Sequence, residues 1–274
     1  MTREETILRL RTAGCVFAED EAAVLIEAAA AKARTQTDPT ATARTETDAG
    51  TTNVILERLV ERRCAGEPLE QVAGYADFCG VRVRLRPGVF VPRVRSELLV
   101  RLAATEAGRQ EDPLVVDLCC GSGALGLAVR HAVPRITLHA ADLDPVAVAC
   151  ARDNLGGHVH QGDLFDALPP DLTGRITVLL ANVPYVATRH LPFLPAEARD
   201  HEPRTALDGG DDGLTVLRAV LAGARRWLAP GGLVLSEITE AQAGAAIAAA
   251  DGNGLTSAVV SDDDLDARVI TARR

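Results

Sequence analysis

Leu114-Val115-Val116-Asp117-Leu118-Cys119-Cys120-Gly121-Ser122-Gly123 passes from an apolar run into a glycine loop, and a helix opens at Ala124. A run of this kind, bounded by glycine, reads as a strand buried on both faces. Glycines in the loop let the backbone approach a ligand closely. The helix N-terminus beside them favours a carboxylate. From about residue 97 onward, strand-like and helix-like segments alternate, which predicts a parallel sheet wrapped by helices. Further strand candidates are Thr137–Ala141, Val159–Gln161, Ile176–Ala181 and Leu233–Glu237. Thr256–Val260 and Arg268–Thr271 look like a closing hairpin. The expected fold is α/β, with a seven-stranded mixed, mostly parallel Rossmann-like sheet.

Acidic residues mark the ends of the first three strands. Asp142 ends the second, 19 residues past Gly123, a spacing that suits a carboxylate receiving two ribose hydroxyls. Asp163, in Gly162-Asp163-Leu164-Phe165, ends the third and would accept from an adenine amine while Leu164 packs the ring. Asp117, upstream of the glycines, fits an amino-acid ammonium better than a pyrophosphate. The loop also lacks the full G-x-G-x-x-G of a dinucleotide site. Carboxylate and ammonium at the first loop, ribose at the second and adenine at the third describe S-adenosylmethionine. The cofactor set is then Asp117, Cys119, Gly121, Gly123, Asp142, Asp163 and Leu164, with Asn182 beside them.

Asn182-Val183-Pro184-Tyr185 follows the strand Ile176–Ala181. The Asn182 side-chain oxygen and the Val183 carbonyl offer two acceptors, and Tyr185 offers a flat wall. That combination suits a planar –NH2 group, either a carboxamide or the exocyclic amine of a base. Taken alone, the motif reads first as a strand-end turn with a core tyrosine beneath it.

The 274 residues carry 47% apolar side chains, 3% aromatic ones and a net charge of −9. The core is therefore aliphatic, and the charge argues against a broad phosphate-binding surface. Six scattered cysteines form no C-x-x-C pair, so the expectation is reduced thiols in a cytoplasmic protein, with no metal site. No run is long and apolar enough for a membrane span. Residues 1–73 read as an N-terminal helical domain, with helices over 3–31 and 53–65. Residues 34–52, rich in Thr and Asp, read as a flexible insertion. Residues 74–93 read as a linking β-hairpin: Val81, Val83 and Leu85 alternate with arginines, and Pro87-Gly88 turns the chain into Val89-Phe90-Val91. Residues 94–274 form the catalytic domain.

At several points the chain resembles the HemK/PrmC-type protein N(5)-glutamine methyltransferases, within the class I S-adenosylmethionine-dependent methyltransferases. Gly66-Glu67-Pro68-Leu69, then Gly74 and Phe78, is similar to that family's GEPLxYxxGxxxFxG. Val91-Pro92-Arg93, then Glu97-Leu98, is similar to IPRPETE. Asn182–Tyr185 stands where the family has NPPY. Glu197 to Gly210, then Asp212-Gly213-Leu214, resembles ExxxxEPxxALxGGxDG. The chain departs from the pattern at Val183, at Val94-Arg95-Ser96 in place of Pro-Glu-Thr, at Cys119 in place of glycine and at Leu164 in place of an aromatic residue.

The resemblance implies methyl transfer to a glutamine side-chain amide of a peptide chain release factor, for which a monomer that docks this protein partner is adequate. Asn182, Val183, Pro184 and Tyr185 would form the catalytic set, and Arg93, Glu197, Pro203 and Arg204 would lie against the protein substrate. Rival readings are methylation of a small molecule, methylation of adenine in nucleic acid, and a scaffold that has lost catalysis. The acidic balance and the absence of an added recognition domain argue against nucleic acid.

Overall fold

The computed structural model describes residues 1–36 and 46–274. The chain divides into two compact units. One is Met1–Tyr75 with Pro195–His201, and the other is Ala76–Leu194 with Glu202–Arg274.

The first unit is helical. Its opening helix, Arg3–Thr12, starts on a reciprocal cap in which the Glu5 amide donates to Thr2 Oγ1 (3.2 Å) and the Thr2 amide to Glu5 Oε2 (2.7 Å). Helices Ala18–Gln36 and Glu46–Cys64 then bury Leu25, Leu56, Leu59 and Val60 around Leu10. The insertion expected over 34–52 is helical at both of its described ends. Residues 37–45 lie outside the described residues. The reason is cooperativity: once Leu56, Leu59 and Val60 anchor the later turns, each residue added upstream gains one hydrogen bond. Polar composition alone does not signal this.

Strands β1 (Tyr75–Phe78) and β2 (Val81–Arg84) form a two-stranded sheet. The turn is at Cys79-Gly80, both at positive φ (47° and 77°), as a tight two-residue hairpin requires. Pro87-Gly88 does turn the chain, but Val89-Phe90-Val91 forms no strand. Phe78 and Val83 share one apolar cluster with Leu99, Val115 and Leu125.

Seven strands make the main sheet: β3 (Leu114–Leu118), β4 (Thr137–Asp142), β5 (Val159–Gln161), β6 (Ile176–Ala181), β7 (Leu228–Glu237), β8 (Thr256–Asp262) and β9 (Ala267–Arg273). Their order is β5-β4-β3-β6-β7-β9-β8. Pairing is parallel except at β7–β9 and β8–β9. Alternate residues feed two layers. Val116, Leu118, Leu179 and Ala181 join one core, while Val115, Val178 and Leu180 join the other. Covering both faces produces unbroken apolar runs rather than alternation.

The topology fixes where chemistry occurs. From β3 the chain winds outward through β4 and β5, then returns to the far side of β3 as β6. Ligands bind at such a reversal, outside the carboxyl ends of the strands. Leu118 pairs with Ala141 and with Ala181. The next residue on each strand is therefore Cys119, Asp142 and Asn182.

Candidate active site at the strand ends

The loop after β3 is tightly wound. Cys119, Gly121 and Gly123 have φ of 54°, 55° and 76°. A Cβ on Gly123 would lie 2.8 Å from Leu155 Cδ1 and displace that side chain, and the positive φ itself favours glycine. Cys119 holds a left-handed conformation that costs a side-chain-bearing residue about 1–2 kcal/mol.

Two carboxylates flank this loop. Asp142 accepts from the Gly121 amide (2.8 Å, Oδ2) and from the Asp144 amide (2.9 Å, Oδ1). Both oxygens are thereby fixed, and each keeps a lone pair for a further donor. Asp117 is fully buried, and its Oδ2 accepts from the Gly126 amide at 2.9 Å. Its Oδ1 has no hydrogen-bond partner. Burial above all pushes its pKa up to about 8. An orphaned, fully buried carboxylate oxygen fits an ammonium, which would restore the charged form. The donor set thus suits the amino-acid end of S-adenosylmethionine at Asp117 and its ribose at Asp142.

At the end of β5, Asp163 is exposed and leads into the short turn Leu164–Ala167, with Leu164 at φ 44°. Sequence reasoning missed Leu143. It stands beside Asp142 with 61% of its surface exposed, and is suited to covering the face of a flat base. A large apolar side chain directly after a strand-end acid was the available signal.

Asn182 continues β6. Its Nδ2 donates to Ser96 Oγ (3.4 Å), and its Oδ1 is buried with no partner. Val183 is buried. The Tyr185 hydroxyl accepts from Arg95 Nε (3.0 Å) and Nη2 (2.5 Å), and the guanidinium lies 5.8 Å from the tyrosine ring centroid. Burial, followed by Glu237, pushes the phenol up to about 12, so Tyr185 stays protonated. Glu237, the last residue of β7, is 4% exposed and 3.6 Å from Arg95 Nε. Its Oε1 is buried and unpartnered. Nothing in the sequence separated it from an ordinary charged strand end.

The run 202–214 clasps this loop. Val186 donates to the Leu207 carbonyl (3.0 Å) and accepts from the Gly209 amide (2.9 Å). A Cβ on Gly209 would fall 2.6 Å from both the Pro184 and the Gly213 carbonyl oxygens. Gln242 Nε2 donates to the Tyr185 carbonyl at 2.9 Å. The glycines of that run therefore serve close backbone packing around Pro184 and Tyr185.

The remaining expected residues are placed differently. Arg93 Nη2 donates to both oxygens of the buried Glu202 (2.7 Å each). Pro203 precedes the helix Arg204–Leu207, and the exposed Arg204 pairs with Asp208 at 3.0 Å. Glu197 belongs to the first unit, where it pairs with Arg63 at 2.8 Å. Among the described residues, no group of three or more His, Cys, Asp or Glu could hold a metal ion, and no helix is long and apolar enough to cross a membrane.

The model of the methyltransferase small domain matches residues 80–192. Release factor glutamine methyltransferase of Streptomyces coelicolor is 40% identical over 191 residues, covering 68% of each chain. The chain belongs to the release factor glutamine methyltransferase family. Its cofactor is accordingly S-adenosylmethionine. A second relative, 4-amino-L-phenylalanine/4-methylamino-L-phenylalanine methyltransferase of Streptomyces pristinaespiralis, is 38% identical over 186 residues. That match covers 65% of this chain and 63% of the relative, so it spans less than two thirds of the relative's length. Among solved structures, a methyltransferase from Pyrococcus furiosus shares the fold, with a TM-score of 0.52 and 14% identity over 71% of this chain and 89% of that one.

Proposed function

We propose that this member of the release factor glutamine methyltransferase family methylates the side-chain amide nitrogen of a glutamine in a peptide chain release factor. One observation carries the reading. The buried, unpartnered Asn182 Oδ1 stands at the end of β6, in register with the cofactor loop at the end of β3.

An amide nitrogen is a poor nucleophile because its lone pair is delocalised. Bound S-adenosylmethionine supplies an activated methyl group. Asn182 Oδ1 and the Val183 carbonyl would accept the two N–H groups and turn the lone pair toward the transferred carbon. Charge on nitrogen grows along the reaction, so both acceptors bind the transition state more tightly than the ground state. Tyr185, pinned by Arg95, would pack against the planar amide. The role given to each residue is part of this proposal, as is catalysis by a single subunit.

A second reading is methylation of the aromatic amine of a small amino acid. Arg95 favours it, because a half-exposed cation beside Tyr185 would hold a substrate carboxylate. The activity for which the Streptomyces pristinaespiralis relative is named lends it weight. Labelled cofactor, incubated separately with release factor and with an arylamine amino acid, separates the two. One added methyl on the glutamine-bearing peptide is the expected outcome. Label only in the arylamine would favour the second reading.

A further inference from the structure

β6 and β7 run parallel, with Leu180 paired to Leu235. Two residues further along, the register sets Glu237 across from Asn182. Neighbouring parallel strands lie about 4.8 Å apart, and residues paired in register point to the same face. Each of these two neighbouring residues carries a buried acceptor oxygen with no partner, Asn182 Oδ1 and Glu237 Oε1. Ser96 ties them together. Its hydroxyl receives Asn182 Nδ2 at 3.4 Å and interacts with the Glu237 carboxylate.

Resting on the methyl transfer proposed above, the geometry points to Glu237 as the group that takes the proton lost by the acceptor nitrogen. The nitrogen lone pair forms the new N–CH3 bond. The electron pair of the broken S–CH3 bond stays on sulfur. One N–H proton passes to Glu237 Oε1. A sulfonium, a neutral amide and a carboxylate become a thioether, an N-methyl amide and a carboxylic acid, and charge balances. Asn182 Oδ1 and the Val183 carbonyl can hold an N–H but cannot keep its proton. Glu237 can.

The surroundings fit that task. Arg95 is the cation facing Glu237, and Tyr185 is the other titratable group against it. On β9, Arg268 is engaged by Glu240 (3.2 Å) and Asp266 (3.7 Å). Burial raises the Glu237 pKa, while Ser96, Arg95 and Tyr185 pull it down. A carboxylate raised above the ordinary glutamate range holds a transferred proton more tightly than a solvated glutamate does.

The test uses the full chain, release factor and S-adenosylmethionine. Glu237→Gln should lower kcat about 100-fold. It should also abolish the acid limb of the kcat–pH profile, with cofactor affinity by calorimetry unchanged. Glu237→Asp should restore the acid limb. A second readout needs no turnover. The 13C-carboxyl resonance that vanishes in Glu237→Gln should titrate above the usual glutamate range, and Arg95→Met should move its midpoint upward. A Glu237→Gln enzyme within threefold of wild type, or an Arg95→Met midpoint that does not move, overturns the assignment alone. A wild-type enzyme that leaves release factor unmethylated overturns the substrate reading and this one with it.

Discussion

Glu202 receives Arg93 on both of its carboxylate oxygens and also accepts from the Val91 amide at 3.1 Å. The carboxylate side chain is fully buried and the guanidinium is one-third exposed. The pair joins the segment before Val94 to the start of the clasp that holds Pro184 and Tyr185. Removing one partner strands the other, which is costly when the survivor is buried. Arg93→Ala should therefore cost about 2–3 kcal/mol in urea unfolding. An unchanged urea midpoint would show that the pair contributes nothing to folding.

Asn182→Ala removes an acceptor whose hydrogen bond strengthens as charge develops. Loss of one such group costs about 100- to 1000-fold in turnover. The expected result is that loss in kcat with cofactor affinity within a few-fold of wild type. Near-normal methylation of release factor by this variant would exclude the proposed role.

Asp117 links cofactor binding to protons. Its folded pKa is raised to about 8, whereas an unfolded aspartate titrates near 3.9. Between these values the folded chain holds a proton that the unfolded chain has lost. Stability of the cofactor-free protein therefore falls as pH rises through that window. The cofactor ammonium would favour the ionised form, so binding near pH 7 should release a proton. Calorimetry in buffers of different ionisation enthalpy reads that release directly. Asp117→Asn should raise the melting temperature of the free protein at pH 8 by a few degrees, weaken cofactor binding and remove the proton release.

Cys119 sits at a positive φ that glycine adopts freely. Cys119→Gly should relieve that conformation, offset in part by the greater freedom of glycine in the unfolded chain. The net expectation is about 0.5–1 kcal/mol of added stability by chemical denaturation, with methyl transfer retained. A loss of stability would mean that packing of the thiol outweighs the backbone term.

Asp142→Ala removes the carboxylate fixed by the Gly121 and Asp144 amides. It should weaken cofactor binding at least tenfold, since a hydrogen bond to a charged group contributes about 1.5–3 kcal/mol. Unchanged binding by calorimetry would contradict its assignment to the ribose.

The parallel strands were legible because burial on both faces leaves an apolar run such as Ile176–Ala181 with almost no polar interruption. The glycine loop and Asn182 were legible because each pairs a special backbone demand with a strand end. What escaped shares a different physics. Glu237 matters through its neighbours across the sheet, and a strand-end glutamate looks the same whether solvated or entombed. The turns before Asn53 are helical because residues downstream anchor them. Cys79-Gly80 and Pro87-Gly88 both carry turn chemistry, and only the paired strands decide which one closes the hairpin.

The clasp around Val186 has a consequence for how such an enzyme diversifies. Its bonds to Leu207 and Gly209 staple together two points far apart in sequence. Everything between them is an excursion whose ends are already anchored. Lengthening, shortening or exchanging its unburied turn, residues 189–193, leaves both the buried Glu202 and the methyl-accepting corner standing. New acceptors can thus be recruited by rewriting a surface, with the chemistry inherited unaltered.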